Sequence, residues 1–148
     1  MKWSIFRLEK SEGVCVKVDS NLVNAAIEFV KQRFPTGIEG AAAVYLEDGT
    51  ILVSTAPEVV NESVSLCHET GAICDAYKLN KKIVATVCVT RYENEFHILT
   101  PCGVCQERYW VYGDDVDCAI PKPEDSTQWT SVKLSALSPN YWRKPFME

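Results

Sequence analysis

The sequence predicts one α/β domain in which helices cover a mixed β-sheet. Two apolar runs, 41–46 and 51–55, are joined by Glu47-Asp48-Gly49-Thr50, and an Asp-Gly pair between apolar runs is a strong hairpin signal. After this hairpin, segments of helical and of strand character alternate along the chain. Such alternation favours a mixed sheet packed against helices, and 148 residues fit a single domain.

Three helices are predicted from the spacing of apolar residues. The first spans 21–33 and is stopped by Pro35. The second spans 65–79, with Ser65 as its expected N-cap. Its apolar stripe comprises Leu66, Ala72, Ile73, Ala76 and Leu79. The third covers 102–112, directly after a proline.

The remaining strands are predicted from short apolar runs. The β-branched run 83–90 indicates a buried strand, and 96–99 is expected to continue it after a turn at 93–95. Another short strand is expected at 116–120. The proline-containing tail is expected to be looser, with 132–137 forming either a short strand or a short helix.

Composition and charge narrow the classes of function. The formal net charge of −5 argues against a general nucleic-acid binder, which would normally show a basic face. No run is long and apolar enough to span a membrane, and the N-terminus lacks an apolar signal core. Seven cysteines without an export signal indicate buried thiols or metal ligands in a reducing cytoplasm. We therefore expect a cytoplasmic single domain of residues 1–148, with 1–18 as an N-terminal extension.

The pair Cys102-Gly103-Val104-Cys105 is the first candidate for chemistry. Two thiols separated by two residues can hold one metal ion, although the same spacing occurs in redox sites and structural zinc knuckles. A structural zinc site would need a second pair of this kind, and the sequence has none. A catalytic zinc, in contrast, keeps one coordination position open.

Cys67 is the best third ligand because of its neighbours. Cys67-His68-Glu69 opens the second predicted helix, and a helix N-terminus favours a thiolate. Cys67, Cys102 and Cys105 would hold a metal with one open position, and Glu69 would lie beside that position without binding. Two alternatives stay open: His68 as a ligand in place of Cys67, and Glu69 as a solvated helix-start carboxylate. Three other cysteines are expected to be small buried core residues: Cys74, Cys88 and Cys118.

Together these motifs resemble the cytidine deaminase family. Its zinc signature has His or Cys, any residue and Glu, followed later by Pro-Cys-x-x-Cys. Here it reads Cys67-His68-Glu69 and Pro101-Cys102-Gly103-Val104-Cys105. The resemblance extends over about 37–137, and the use of three cysteines is similar to the small tetrameric cytidine deaminases and the blasticidin S deaminases.

The resemblance implies a three-layer α/β/α sandwich with a mixed central sheet of about five strands. It implies Zn²⁺ as cofactor, held by Cys67, Cys102 and Cys105, and no organic cofactor. Glu69 would accept a proton from the attacking water and deliver protons to N3 and to the leaving amino group of a cytosine ring. The backbone around His68 and Thr100 would face that amino group. A homotetramer acting on a small nucleoside, with no nucleic acid and no membrane as partner, is expected by the same resemblance.

Some positions depart from the family pattern. At the end of the second strand, the family's ribose-binding Asn-x-Glu corresponds to Ala56 and Glu58, which makes Glu58 the candidate substrate contact. An alignment with a gap would use Asn61 and Glu62 instead. The base-stacking aromatic corresponds to Ile38, with Phe34 able to serve if the loop differs.

Two arginines that accompany the three cysteines in many members are also replaced. They correspond to Thr70 and Gln106, so His68 or Arg108 would have to balance the charge of three thiolates. The C-terminal aromatics Tyr141, Trp142 and Phe146 are candidates for reaching an active site across a subunit interface.

The expected function is hydrolytic deamination of cytidine or deoxycytidine, giving uridine or deoxyuridine and ammonia in pyrimidine salvage. Two alternatives remain. The first is deamination of a modified cytosine nucleoside such as blasticidin S, because the ribose and stacking positions differ. The second is a zinc-stabilised binding or scaffold protein without turnover, against which the retained Glu69 speaks.

Overall fold

The computed structural model describes residues 16–147, which form one six-stranded sheet with helices on both faces. The helices are α1 (Ser20–Arg33), α2 (Thr70–Lys78), α3 (Gly103–Tyr109) and α4 (Leu134–Leu137). The strands are β1 (Gly40–Leu46), β2 (Ile51–Ser54), β3 (Ile83–Tyr92), β4 (Glu95–Leu99), β5 (Asp117–Lys122) and β6 (Asp125–Lys133). Among these residues, no helix is long and apolar enough to cross a membrane.

The sheet is mixed, as predicted. Its strand order is β2-β1-β3-β5-β6, and β4 pairs with β3 beside this path. Among the strands of residues 16–147, only β3 and β5 pair in parallel, through Ala85 with Asp117 and Thr86 with Cys118. The α/β class is confirmed, with six strands rather than about five.

Two apolar layers hold the sandwich together. Helix α1 packs on one face of the sheet through Leu22, Ala26 and Val30, which are all fully buried. Helices α2 and α3 pack on the other face through residues such as Ala72 and Tyr109. Every residue of β1 is buried, because this strand is covered by a helix on each side. Its small side chains, Gly40 to Ala43, let both helical layers approach closely.

The second helix is shorter than predicted, and the predicted start at Ser65 is wrong. It begins at Thr70, not at Ser65, and a short 3-10 helix occupies Glu62–Val64 instead. Leu66, assigned to the apolar stripe, is 45% exposed. In this non-helical segment, the carbonyl of His68 accepts from the Ser54 hydroxyl at 2.5 Å, which ties the segment to the end of β2.

The C-terminal region is more regular than predicted. The predicted looseness is wrong for 125–133, which form β6, paired antiparallel with β5 along most of its length. Its polar, alternating residues fit an edge strand with one exposed face, a pattern that the search for apolar runs overlooks. The segment 132–137 divides between the end of β6 and α4, so both expected conformations occur.

The predicted N-terminal extension reaches into the core at its end. Val18 is 5% exposed and belongs to the α1 layer. Its N–H donates to Asp117 Oδ2 at 2.9 Å, and Lys133 Nζ lies 3.7 Å from Asp117 Oδ1. Residues 16–18 therefore belong to the folded domain, while 1–15 lie outside the described residues. That the whole chain forms one domain stays a prediction.

Candidate metal and catalytic site

Three cysteine sulphurs converge between the sheet and the helices α2 and α3. The Sγ atoms of Cys67, Cys102 and Cys105 all lie within 4.8 Å of one another, and Cys67 Sγ is 3.3 Å from Cys102 Sγ. A tetrahedral zinc with Zn–S bonds of about 2.3 Å holds its sulphurs about 3.8 Å apart. The cluster therefore has the size of a zinc site and needs only small adjustments to accept the ion.

Backbone hydrogen bonds position the three cysteines. Cys67 lies in the loop before α2, and its carbonyl accepts from Thr70 N–H at 3.1 Å. Cys102 precedes the first residue of α3, and its carbonyl accepts from Gln106 N–H at 2.8 Å. Cys105 lies in the first turn of α3 and is fully buried. Two helix starts thus bring together ligands that are 35 residues apart in sequence.

The electrostatics of the thiols fit a bound cation. Burial raises the pKa of Cys67 and of Cys105. For Cys102, burial raises the pKa, but the N–H groups of Cys105 and Val104 outweigh it, so the net pKa is lowered. Two of the three sulphurs would stay protonated without a partner, and a divalent cation supplies the charge that makes all three thiolates stable.

Glu69 lies at the start of α2 and is buried. Its side chain is 4% exposed, although glutamate is rarely buried without a partner or a function. Burial disagrees with the alternative of a solvated carboxylate. Among the described residues, Glu69 is not part of the group that could hold a metal, which consists of the three cysteines. This is consistent with a carboxylate that acts beside the metal.

The imidazole of His68 is held by the protein. Its Nδ1 accepts from the N–H of Ala56 at 3.1 Å, and burial lowers its pKa. A ring that accepts at Nδ1 carries its proton on Nε2 when neutral. That Nε2 lies 2.6 Å from where a Cβ at Gly40 would stand, so only glycine fits there. The side chain of His68 therefore has a structural role. That its backbone faces the amino group of a substrate remains a prediction.

The other substrate-contact candidates lie on the surface. Glu58 and Thr100 are both exposed, Thr100 directly before Pro101 and Cys102. The alternative residue Asn61 uses its side chain locally, accepting from Ser63 N–H at 3.1 Å to cap the 3-10 helix. The contacts of Glu58 and Thr100 with a substrate stay predictions.

The departures from the family pattern have visible structural consequences. Ile38 is 69% exposed, whereas Phe34 packs edge-on against Phe29 in the α1 layer. Thr70 Oγ1 accepts from Arg108 Nη1 at 2.9 Å. Arg108 therefore brings a positive charge to the residue that follows Glu69.

Several residues that support the site were not predicted from the sequence. The Ser54 hydroxyl donates to the His68 carbonyl. Gly71 lies close to Ser54, because a Cβ at position 71 would be 2.9 Å from Ser54 Cβ. Ser138 donates to the side chain of Gln106 at 2.6 Å. A glycine inside a predicted helix is a signal of close packing, so Gly71 could have been found. Nothing in the sequence singles out Ser54 or Ser138.

The remaining cysteines divide between core and surface. Cys88 and Cys118 are buried in β3 and β5, which confirms their predicted role as small core residues. Burial raises the pKa of both, that of Cys118 to about 12, so they stay thiols. The same prediction is wrong for Cys74, which is exposed on α2, because it lies off the stripe of Ala72, Ile73 and Ala76 that faces the core. Cys15 lies outside the described residues.

Two of the three C-terminal aromatics, Tyr141 and Trp142, contact α3 or the residue that follows it. The ring of Tyr141 stacks on Trp110 with 4.0 Å between centroids, and its hydroxyl donates to Glu107 at 3.0 Å. Trp142 also reaches Glu107 through its indole N–H but stays 66% exposed, and Phe146 is 76% exposed. Their predicted role across a subunit interface stays a prediction.

Comparison with known proteins identifies the family. The structure is similar to the crystal structure of the cytidine deaminase from Bacillus anthracis, with a TM-score of 0.78 and 40% identity, over 85% of this chain and 90% of that one. The cytidine deaminases from Mycobacterium leprae (TM-score 0.63, 20% identity, 81% and 96% covered) and Burkholderia pseudomallei (0.64, 17%, 83% and 98%) share the fold. No family model and no curated protein matches the sequence. The extent and identity of the Bacillus match show that this chain belongs to the cytidine deaminase family.

Proposed function

We propose that this protein is a zinc-dependent hydrolase that removes the exocyclic amino group of a cytosine nucleoside as ammonia. The observation that carries the proposal is the cluster of three thiols within 4.8 Å, with the buried carboxylate of Glu69 two residues from one of them. Membership of the cytidine deaminase family supports the same class of reaction.

Each residue has a distinct role in this proposal. Cys67, Cys102 and Cys105 hold Zn²⁺, which when bound lowers the pKa of a coordinated water toward neutrality. Glu69 accepts a proton from the attacking water and passes protons to N3 and to the departing amino group. Because Glu69 is 4% exposed, few waters compete for that proton.

The substrate class follows from the surroundings of the cluster. Glu58, the His68 backbone and Thr100 are the proposed contacts to the nucleoside. Cytidine and deoxycytidine are the primary substrates proposed. Ile38 at the stacking position and Ala56, which offers no side-chain amide to a ribose, favour the second candidate, a modified cytosine nucleoside such as blasticidin S. A homotetramer in cytoplasmic pyrimidine salvage is the proposed setting, by family likeness.

The test is zinc content together with ammonia release from cytidine, deoxycytidine and blasticidin S. About one zinc per chain and ammonia from one of these compounds would support the proposal and identify the preferred substrate. Zinc without ammonia from any cytosine nucleoside would contradict it and favour the alternative of a zinc-stabilised binding or scaffold protein. Dialysis against a chelator should abolish turnover, and added zinc should restore it.

A further inference from the structure

Gln106 makes two hydrogen bonds next to the cysteine cluster, an ordinary helical one from its backbone and a second one from its side chain. Its backbone N–H donates to the carbonyl of Cys102 at 2.8 Å. Its side-chain Nε2 donates to the carbonyl of Pro101, also at 2.8 Å. One residue thus binds two consecutive carbonyls, those of a cysteine in the cluster and of the residue before it.

These contacts matter because Cys102 itself is exposed, between Pro101 and Cys105, which are buried. Gly103 has open space around its Cβ position, so side-chain packing at these exposed positions contributes little. The hydrogen bonds to the carbonyls of Pro101 and Cys102 therefore help to fix the backbone from which the Cys102 thiol projects.

The Gln106 amide is itself held from the other side. Ser138 Oγ donates to Gln106 Oε1 at 2.6 Å. Since a backbone carbonyl can only accept, this contact leaves the NH₂ group to face Pro101. The amide is therefore oriented by a donor and an acceptor at once.

Ser138 is itself held by backbone hydrogen bonds that lead to the core. Its N–H donates to the carbonyl of Leu134, and Leu134 N–H donates to Val116. Leu134 is fully buried. The contacts thus run from the core through α4 and Ser138 to Gln106, and from there to the loop at Cys102.

We propose that Gln106, oriented by Ser138, is a positioning residue that holds the Pro101–Cys102 loop in the conformation needed for metal binding. The proposal rests on the proposed zinc function of the cluster. Partners that orient metal ligands typically change metal affinity or activity by 10- to 100-fold when removed. Gln106→Met keeps the length of the side chain but removes both hydrogen bonds of its amide.

The experiment measures zinc affinity by competition with a chelator, alongside the melting temperature of the metal-free protein. We expect Gln106→Met to weaken zinc binding about 10-fold or more, and Ser138→Ala to weaken it by a smaller factor. Gln128→Met, on the exposed side of β6, is the matched control and should bind zinc like the wild type. If Gln106→Met does not fold, Ser138→Ala decides alone.

The outcomes separate this inference from the proposed function. Zinc affinity unchanged within about two-fold in both variants would overturn the inference, even if the wild type deaminates cytidine. A lower melting temperature with unchanged affinity would also overturn it, because the residue would then only stabilise the fold. Weakened zinc binding in a protein that deaminates no cytosine nucleoside would support the inference and contradict the proposed function.

Discussion

The two faces of the sheet are covered by helices in the same way but are built from different side chains. Between the sheet and α1, the fully buried residues are aliphatic, such as Leu22, Val30 and Val87. Between the sheet and α2 and α3, the core also contains Cys105 and Tyr109, with Glu69 buried at the start of α2. The first face also buries a carboxylate, that of Asp117, but this group accepts from the Val18 N–H. The second face combines packing with a cluster of thiols and the carboxylate of Glu69, ionisable groups that cost free energy to bury.

This difference favours the face of α2 and α3 as the place of the proposed chemistry. A buried carboxylate next to clustered thiols is typical of functional sites. Changes on the α1 face should therefore alter stability without altering chemistry. Substitutions on the face of α2 and α3 should alter zinc binding or turnover more than they alter stability.

The largest effect is expected for Glu69→Gln. The amide cannot accept the proton of the attacking water, so kcat should fall about 10³-fold. Zinc content and fold should be retained, because Glu69 is not part of the cysteine cluster. Steady-state kinetics with metal analysis check this, and Glu124→Gln in an exposed turn is the control. A variant that keeps a tenth of wild-type kcat would show that Glu69 does not move the protons.

On the opposite face, Leu22→Ala should lower stability without affecting catalysis. Leu22 is fully buried in α1, so its truncation should cost about 3 kcal/mol of unfolding free energy. Urea denaturation measures the loss, and Leu79→Ala at the exposed end of α2 should cost far less. A changed KM in the folded variant would mean that the two faces are coupled.

Substitutions at Thr86 and Tyr109 test the contribution of a buried hydrogen bond on the face of α2 and α3. Their hydroxyls share a hydrogen bond of 2.7 Å, and burial raises the pKa of Tyr109 far above its usual value, so the phenol stays neutral. Thr86→Val should cost about 1–3 kcal/mol because the Tyr109 hydroxyl is left unpaired. Combining it with Tyr109→Phe should recover part of that loss in denaturation experiments. Strictly additive losses would show that the hydrogen bond contributes nothing.

The smallest effect is expected outside both faces, at the β1–β2 turn. The ammonium of Lys81, followed by the N–H and hydroxyl of Thr50, lowers the pKa of Asp48 to about 2. A lowered pKa in the folded state adds stability above about pH 4, and this is lost as pH falls toward 2. The difference in denaturation midpoint between wild type and Asp48→Asn should therefore shrink between about pH 4 and pH 2. A constant difference would mean that the carboxylate charge has no role.

Much of the site could be predicted because its chemistry is local in sequence. Cys102 and Cys105 are three residues apart within one turn, and Cys67 precedes Glu69 by two residues. Such spacings constrain geometry without knowledge of the fold. In contrast, Ser138 and Ser54 act on residues far away in sequence, and a single serine carries no periodicity or motif.

The fold was predictable to a similar degree. The apolar runs of β1 and β3 and the stripe of α1 follow from burial on one or both sides, which imposes a pattern on the sequence. The start of α2 lies later than predicted, and the carbonyl of His68 is instead bound by Ser54, a contact between separate elements that local helix preference does not reveal. The edge strand β6 was missed because half of its residues face solvent and show no apolar run.

The sequence by itself determined the class of fold, the three cysteines, Glu69 and the family, because each depends on residue types at short spacing. Tertiary structure alone decided how these parts are held. It committed the His68 ring to the backbone at Ala56, brought Arg108 to Thr70 and placed Ser138 against Gln106. The physical reason is that a hydrogen bond between distant segments depends on where the whole chain places two atoms, which neighbouring residues do not encode.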